Sequence, residues 1–117
     1  MVYDITDDNF EAEVINSDKP CIIFFTAGFC VYCDDMYPRF ELLADKYADD
    51  CKFCLVNIDE QRKLRIKFVV ASTPYIVMVK DGMMSPLFDM IVSTEKLDER
   101  IAYALGGGDV PGTRRLR

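Results

Sequence analysis

The sequence predicts an α/β domain, a three-layer α/β/α sandwich around a mixed central sheet. Three observations carry that reading. Two apolar runs, Cys21–Thr26 and residues 53–58, show no alternation, as strands covered on both faces do. Between them Met36, Phe40, Leu43 and Tyr47 recur at spacings of four, three and four, one face of a helix. Late in the chain Lys80-Asp81-Gly82-Met83 is a hairpin turn signal between two strand-like stretches, which makes part of the sheet antiparallel.

The elements follow in the order βαβαβαββα. Residues 2–5 form a first strand. Thr6-Asp7-Asp8-Asn9 supplies an N-cap and an acidic first turn for a short helix ending near Ser17, with Phe10 and Val14 inward. Ser17-Asp18-Lys19-Pro20 is a turn before the second strand. The long helix that follows Cys30 contains Pro38, which removes a hydrogen bond and predicts a kink. A charged helix over 60–67 follows the third strand. Tyr75 to Val79 and Leu87 to Val92 are the hairpin strands. Ser93-Thr94-Glu95 opens a last helix with Leu97, Ile101, Ala104 and Leu105 inward. One domain, residues 1–105, is expected, with residues 106–117 as a flexible tail because of their glycines and basic end.

Composition removes whole classes of chemistry. There is no histidine, so Ser-His-Asp and Cys-His catalysis and every His-bearing metal site are excluded. Five cysteines, an odd number, cannot all pair within one chain. Fourteen basic against twenty acidic residues give a net charge of −6, which disfavours a nucleic-acid partner. No basic segment followed by an apolar core opens the chain, and the run 21–25 is far too short to cross a bilayer. A cytoplasmic protein with no membrane partner is the expectation.

Cys30-Val31-Tyr32-Cys33 stands between a buried strand and a helix. A cysteine at a helix N-terminus faces unpaired N–H groups and the positive end of the helix dipole, which lower its pKa. The second sulfur follows one turn later, within reach of a disulfide. Cys30 is then the exposed attacking thiolate and Cys33 the resolving thiol. Two core cysteines spaced by chance are the bland reading. A second C-x-x-C, Cys51-Lys52-Phe53-Cys54, adds a four-cysteine zinc alternative. Against it, residues three apart on a strand point to opposite faces. Neither a metal nor another cofactor is expected. Cys21 reads as a strand-core residue and Cys51 as a free thiol at a strand edge.

From these residues outward the chain resembles the thioredoxin family over about residues 2–105. Ile5 to Phe10 resembles the entry to that family's first helix, and Phe25 to Cys33 its active-site stretch. Pro38 stands where the family kinks its second helix. Val56-Asn57-Ile58-Asp59 is similar to its central strand ending, and Asp81-Gly82 to its hairpin turn. Thr73-Pro74 sits where the family carries a cis-proline loop. The resemblance implies that Thr73 and Pro74 lie against Cys30 and offer main-chain groups to substrate, with Phe29 and Tyr32 giving apolar contact around the site.

The chain also departs from the family. Phe29 replaces a tryptophan, and Val31-Tyr32 replaces Gly-Pro. Phe24 takes the position of a buried aspartate, and Leu55 that of its neighbouring lysine. Losing both charges together is physically coherent; losing one would strand the other. A substrate-groove glycine aligns with Met90. Asp34 and Asp35, directly after Cys33, read as solvated first-turn acids that bias partner choice by charge. The resemblance implies a thiol–disulfide oxidoreductase acting on protein disulfides, served by an unidentified thiol electron donor. The competing expectation is an adaptor of the same fold with vestigial redox activity.

Overall fold

The structure is a computed structural model describing residues 1–117. A six-stranded sheet has the order β1-β3-β2-β4-β5-β6, with β1 Val2–Asp4, β2 Cys21–Thr26, β3 Lys52–Asn57, β4 Tyr75–Lys80, β5 Met83–Phe88 and β6 Arg114–Arg115. β1, β3 and β2 run parallel. β4, β5 and β6 continue antiparallel. Helix α1, Val31–Lys46, and α3, Thr94–Leu105, cover one face. A short π-helical turn, Glu11–Ile15, and α2, Arg62–Phe68, cover the other. This is the α/β fold expected from the patterning.

β2 shows why its apolar run does not alternate. Ile22 and Phe24 enter the core beneath α1 and α3, while Cys21, Ile23 and Phe25 enter the core beneath α2. All five are fully buried. The four α1 residues singled out by spacing, Met36, Phe40, Leu43 and Tyr47, all face the first core. Pro38 lies inside the helix, which continues on both sides of it. Thr6 and Asn9 cap each other's main chain, with Asn9 N–H donating to Thr6 Oγ1 at 3.1 Å and Thr6 N–H to Asn9 Oδ1 at 2.7 Å. The first helix nevertheless shortens to a π turn that still buries Val14.

Two expectations change. β5 occupies Met83–Phe88 rather than residues 87–92, because the turn is only two residues long. Asp81 and Gly82 both hold positive φ, 53° and 76°, so Lys80 pairs at once with Met83. Apolar Met90 to Val92 instead form a loop into α3, whose N-cap Ser93 accepts from Lys96 N–H at 3.1 Å.

The segment 106–117, read as a free tail, folds back onto the domain. Val110 is buried in the α1/α3 core, and β6 pairs with the edge of β5. The hydroxyls of Ser85 and Thr113 meet at 2.9 Å, and Leu116 N–H donates to Gly82 O at 2.9 Å. The glycines that resemble a linker supply reversals: Gly107 and Gly112 sit at φ +85° and +83°. At Gly112 a Cβ would come within 3.1 Å of Pro86 Cγ.

Candidate active site

The site lies at the end of β2, where the sheet changes from parallel neighbour β3 to antiparallel neighbour β4. Such switch points open a crevice beyond the strand ends. The chain leaves β2 through Ala27-Gly28-Phe29 and enters α1 at its N-cap, Cys30. Phe29 turns the corner at φ +55°, a left-handed conformation that costs an L-residue of its kind about 1–2 kcal/mol. Its ring consequently stands fully in solvent. Gly28 N–H donates to Asp59 Oδ2 at 2.7 Å, which ties this loop to the end of β3. Asp59 N–H in turn donates to Asn57 Oδ1 at 2.9 Å. A side chain at Gly28 would press on Asp59, its Cβ 3.2 Å from Oδ2.

Cys30 and Cys33 are joined by a disulfide, with 5.2 Å between their Cα atoms, inside the span that such bonds need. The two sulfurs differ in surroundings. Cys30 is half-buried and Sγ accepts two hydrogen bonds, from Cys33 N–H and from Thr73 Oγ1, each at 3.2 Å. Cys33 is 2% exposed and belongs to the core beneath α1. The expected neighbours are assembled. Thr73 touches Cys30 directly, and the Thr73–Pro74 peptide is cis. Phe29, Val31 and Tyr32 are all exposed and, with Thr73, line an open depression of about 620 Å³ around Cys30.

Behind Cys33 the core is apolar. Phe24 packs edge-on against Tyr37, ring centroids 5.7 Å apart, and tilts against Phe40 at 5.2 Å. Leu55 lies opposite Phe24 across the β2–β3 ladder. The buried set contains one polar residue, Ser85, and no carboxylate.

The second C-x-x-C does not converge with the first. Cys51 lies in the α1/α3 core and Cys54 in the α2 core, with the sheet between them. Cys51, the free thiol directly before β3, is buried at 2% accessible, and burial followed by the charge of Asp50 pushes its thiol up to about 12. Cys21 and Cys54 share the α2 core, and with Cys51 they are unpaired. The residue that sequence reasoning passed over is Asp59. In the sequence it is only the last residue of a strand ending. The available signal was an acid directly beyond a buried strand, next in the sheet to the strand bearing Cys30.

A dithiol pair with one accessible sulfur at a helix start, on a mixed-sheet α/β fold, defines a thiol–disulfide exchange protein. The family model described as Thioredoxin matches residues 1–103, and the chain belongs to the thioredoxin family. It is similar to Thioredoxin 2 of Chlorobaculum tepidum, 32% identical over 104 residues, covering 85% of this chain and 94% of the relative. It is also similar to Thioredoxin C-2 of Corynebacterium nephridii, 31% identical over 69% of this chain and 75% of the relative. The thioredoxin of Haemophilus influenzae is 32% identical over 71% and 78%. The protein is thus a thiol–disulfide oxidoreductase whose fold and dithiol are those of its family. No helix is long and apolar enough to cross a membrane.

Proposed function

We propose that Cys30 is the nucleophile and Cys33 the resolving thiol of a protein-disulfide reductase. The carrying observation is the contrast between the two sulfurs, one half-buried with two donors and one sealed in the core. In the reduced protein the Cys33 N–H and the Thr73 hydroxyl stabilise a Cys30 thiolate, and the positive end of α1 adds to them. That thiolate attacks one sulfur of a substrate disulfide, forms a mixed disulfide and releases the other sulfur as a thiolate. Cys33 then loses its proton and attacks Cys30 Sγ. The second substrate thiolate leaves, and the Cys30–Cys33 disulfide results. A thiol donor returns the two electrons.

Phe29 and Tyr32 present apolar surface to the substrate, while Thr73 and Pro74 offer main-chain groups beside Cys30. Three unpaired cysteines, Cys21, Cys51 and Cys54, suit a reducing compartment, which supports a cytoplasmic reductant. Insulin reduction by the dithiothreitol-recycled protein tests the assignment. Cys30→Ser should abolish it, whereas Cys33→Ser should trap substrate as a mixed disulfide. Full insulin reduction by Cys30→Ser, or no mixed disulfide when pre-reduced Cys33→Ser freed of dithiothreitol meets insulin, would reverse or remove the roles. A reduced Cys30 inert to alkylation at neutral pH would leave only an adaptor of this fold.

A further inference from the structure

α2 and residues 113–117 hold seven of the fourteen basic residues and none of the twenty acidic ones. The rest of the molecule therefore sets seven bases against twenty acids. The fold joins the two segments into one surface. Arg114 Nη2 donates to the carbonyl of Lys67 at 3.1 Å, and the Lys67 ammonium reaches back to the carbonyl of Arg117. Leu116 anchors the strand against the same core as Phe68 of α2.

None of these cations is in an ion pair with an acidic side chain. The protein's ion pairs are Met1–Asp45, Arg39–Asp35, Lys46–Asp98 and Lys52–Glu13, none of which involves the surface. Asp7 stands at the start of α2, where its carboxylate accepts from the N–H groups of Lys63 and Leu64 at 3.3 and 3.0 Å. Among the cations Ile66 and Val69 stand exposed, 64% and 74% accessible. Mixed apolar and cationic surface of this kind is what protein interfaces use.

Its position links it to the disulfide. α2 ends at Phe68 with Val69 as its C-cap, and four residues beyond Val69 the Thr73 hydroxyl donates to Cys30 Sγ, whereas β6 pairs with Met83 and Met84 at the hairpin end of the sheet, away from Cys30. Beyond Cys30 on the α1 side, exposed Asp34 and Asp35 present the opposite sign. A partner bonded to Cys30 that also reaches across α2 would meet positive charge on that side and negative charge on the α1 side, which would favour one orientation.

We propose that α2 and the C-terminal strand form a docking surface for the acidic face of a protein that exchanges disulfides at Cys30. This rests on the assignment of Cys30 made above. A polyanion such as nucleic acid meets a molecule of net charge −6 and would gain nothing from Ile66 and Val69. A protein with an acidic patch beside its disulfide gains from both.

Three synthetic peptides with the same intramolecular disulfide test the surface, one followed by a glutamate run, one by lysines and one by glutamines. At low salt the glutamate peptide should be reduced with a kcat/KM about tenfold above the lysine peptide, and the ratio should fall toward one as salt rises. Arg62→Glu/Arg65→Glu should reverse that order while the glutamine peptide is reduced at the wild-type rate. Equal rates for the charged peptides at low salt, or a preference that survives the double variant, would overturn the surface. A labelled glutamate peptide with its cysteines changed to serine separates docking from redox chemistry. Its fluorescence anisotropy should report binding to the wild type and not to the double variant. A wild type that reduces none of the peptides breaks the Cys30 assignment, while the anisotropy contrast still decides the surface. Binding of single-stranded DNA or phosphatidylserine vesicles that the double variant loses, with no discrimination among peptides, would assign the surface to polyanions and overturn the proposal.

Discussion

Cys30-Val31-Tyr32-Cys33 and Cys51-Lys52-Phe53-Cys54 have one spacing and opposite fates. The first begins at the N-cap of α1, where helical geometry brings both sulfurs to one side and they bond. The second enters β3, where the pleat sends Cys51 into one core and Cys54 into the other. Spacing alone therefore says little about a cysteine pair; the period of the backbone beneath it says whether the sulfurs can meet. Environment widens the contrast. Cys30 Sγ has two hydrogen-bond donors, whereas burial disfavours the Cys51 thiolate. The Cys54 thiol is raised further by its hydrogen bond with Cys21 and by burial.

The largest expected effect is in reactivity. After reduction, alkylation of the folded protein at neutral pH should label Cys30 more than about a thousandfold faster than Cys51 or Cys54, since the thiolate is the reacting species. In denaturant all five thiols should react alike. Mass spectrometry that finds Cys51 labelled in the folded state as fast as Cys30 would erase the distinction.

The apolar wall behind Cys33 comes next. Phe24→Asp removes a fully buried ring and leaves a carboxylate with no partner, so stability should fall by about 3–5 kcal/mol or more. Leu55, opposite Phe24 on the ladder, allows a partial repair. Phe24→Asp/Leu55→Lys should unfold at a higher urea concentration than Phe24→Asp alone. Equal midpoints for the two variants would mean that no charge pair forms there.

The same wall predicts a kinetic signature. With no buried carboxylate beside it, Cys33 must ionise unaided, and free thiols titrate near a pKa of about 8.5. Resolution of the mixed disulfide, followed by stopped flow, should accelerate with pH through that value, because burial in an apolar core disfavours the thiolate. A flat profile from about pH 6 to 9 would require another base near Cys33. In Phe24→Asp/Leu55→Lys the rise should be shallower.

A smaller change is expected at the loop. Asp59→Ala frees Gly28 N–H, the tie between the end of β3 and the turn that lifts Phe29. The bond is at the surface, so stability should drop by less than about 1 kcal/mol. Misplacement of the loop should lower kcat/KM for disulfide reduction up to about tenfold. Asp59→Asn, which keeps an acceptor, should restore most of it; a stability loss with unchanged kcat/KM would make Asp59 merely structural.

The smallest effect lies beside Cys51, whose N–H donates to Tyr47 O at 3.0 Å. Hydrogen bonds from Lys46 and then Tyr47 hold the Asp98 carboxyl below its usual range. That stability is present above an ordinary carboxylate pKa of about 3.9 and is lost as pH falls through the lowered folded value. Burial, then the bond to Asp98, pushes Tyr47 up to about 12. Its contribution is complete below the unfolded tyrosine pKa of about 10 and disappears as pH rises toward 12. Asp98→Asn should therefore flatten the decline in Tm on both limbs and leave the reactivity of Cys30 unaltered.

By itself the sequence determined the order of the elements as far as α3, the two-sided burial of β2, the inward face of α1 and the cysteine pair at its start. Each of these is local: a period of 3.6 or 2, or an unpaired helix terminus, is written in neighbouring residues. The tertiary structure alone decided the rest. β5 starts at Met83 because two consecutive positive φ angles close the turn in two residues, which outweighs the apolar character of Met90 to Val92. Residues 106–117 have a linker's composition, yet Val110 finds a place in the core and Arg114 and Arg115 find the open edge of β5. An edge strand's unpaired N–H and C=O groups accept a short segment whatever its side chains. Asp59 and Gly28 are thirty-one residues apart, and Thr73 and Cys30 forty-three, partners that only folding introduces. Contacts at such separation depend on how strands are ordered in the sheet, and strand order is carried by the whole chain at once rather than by any stretch of it.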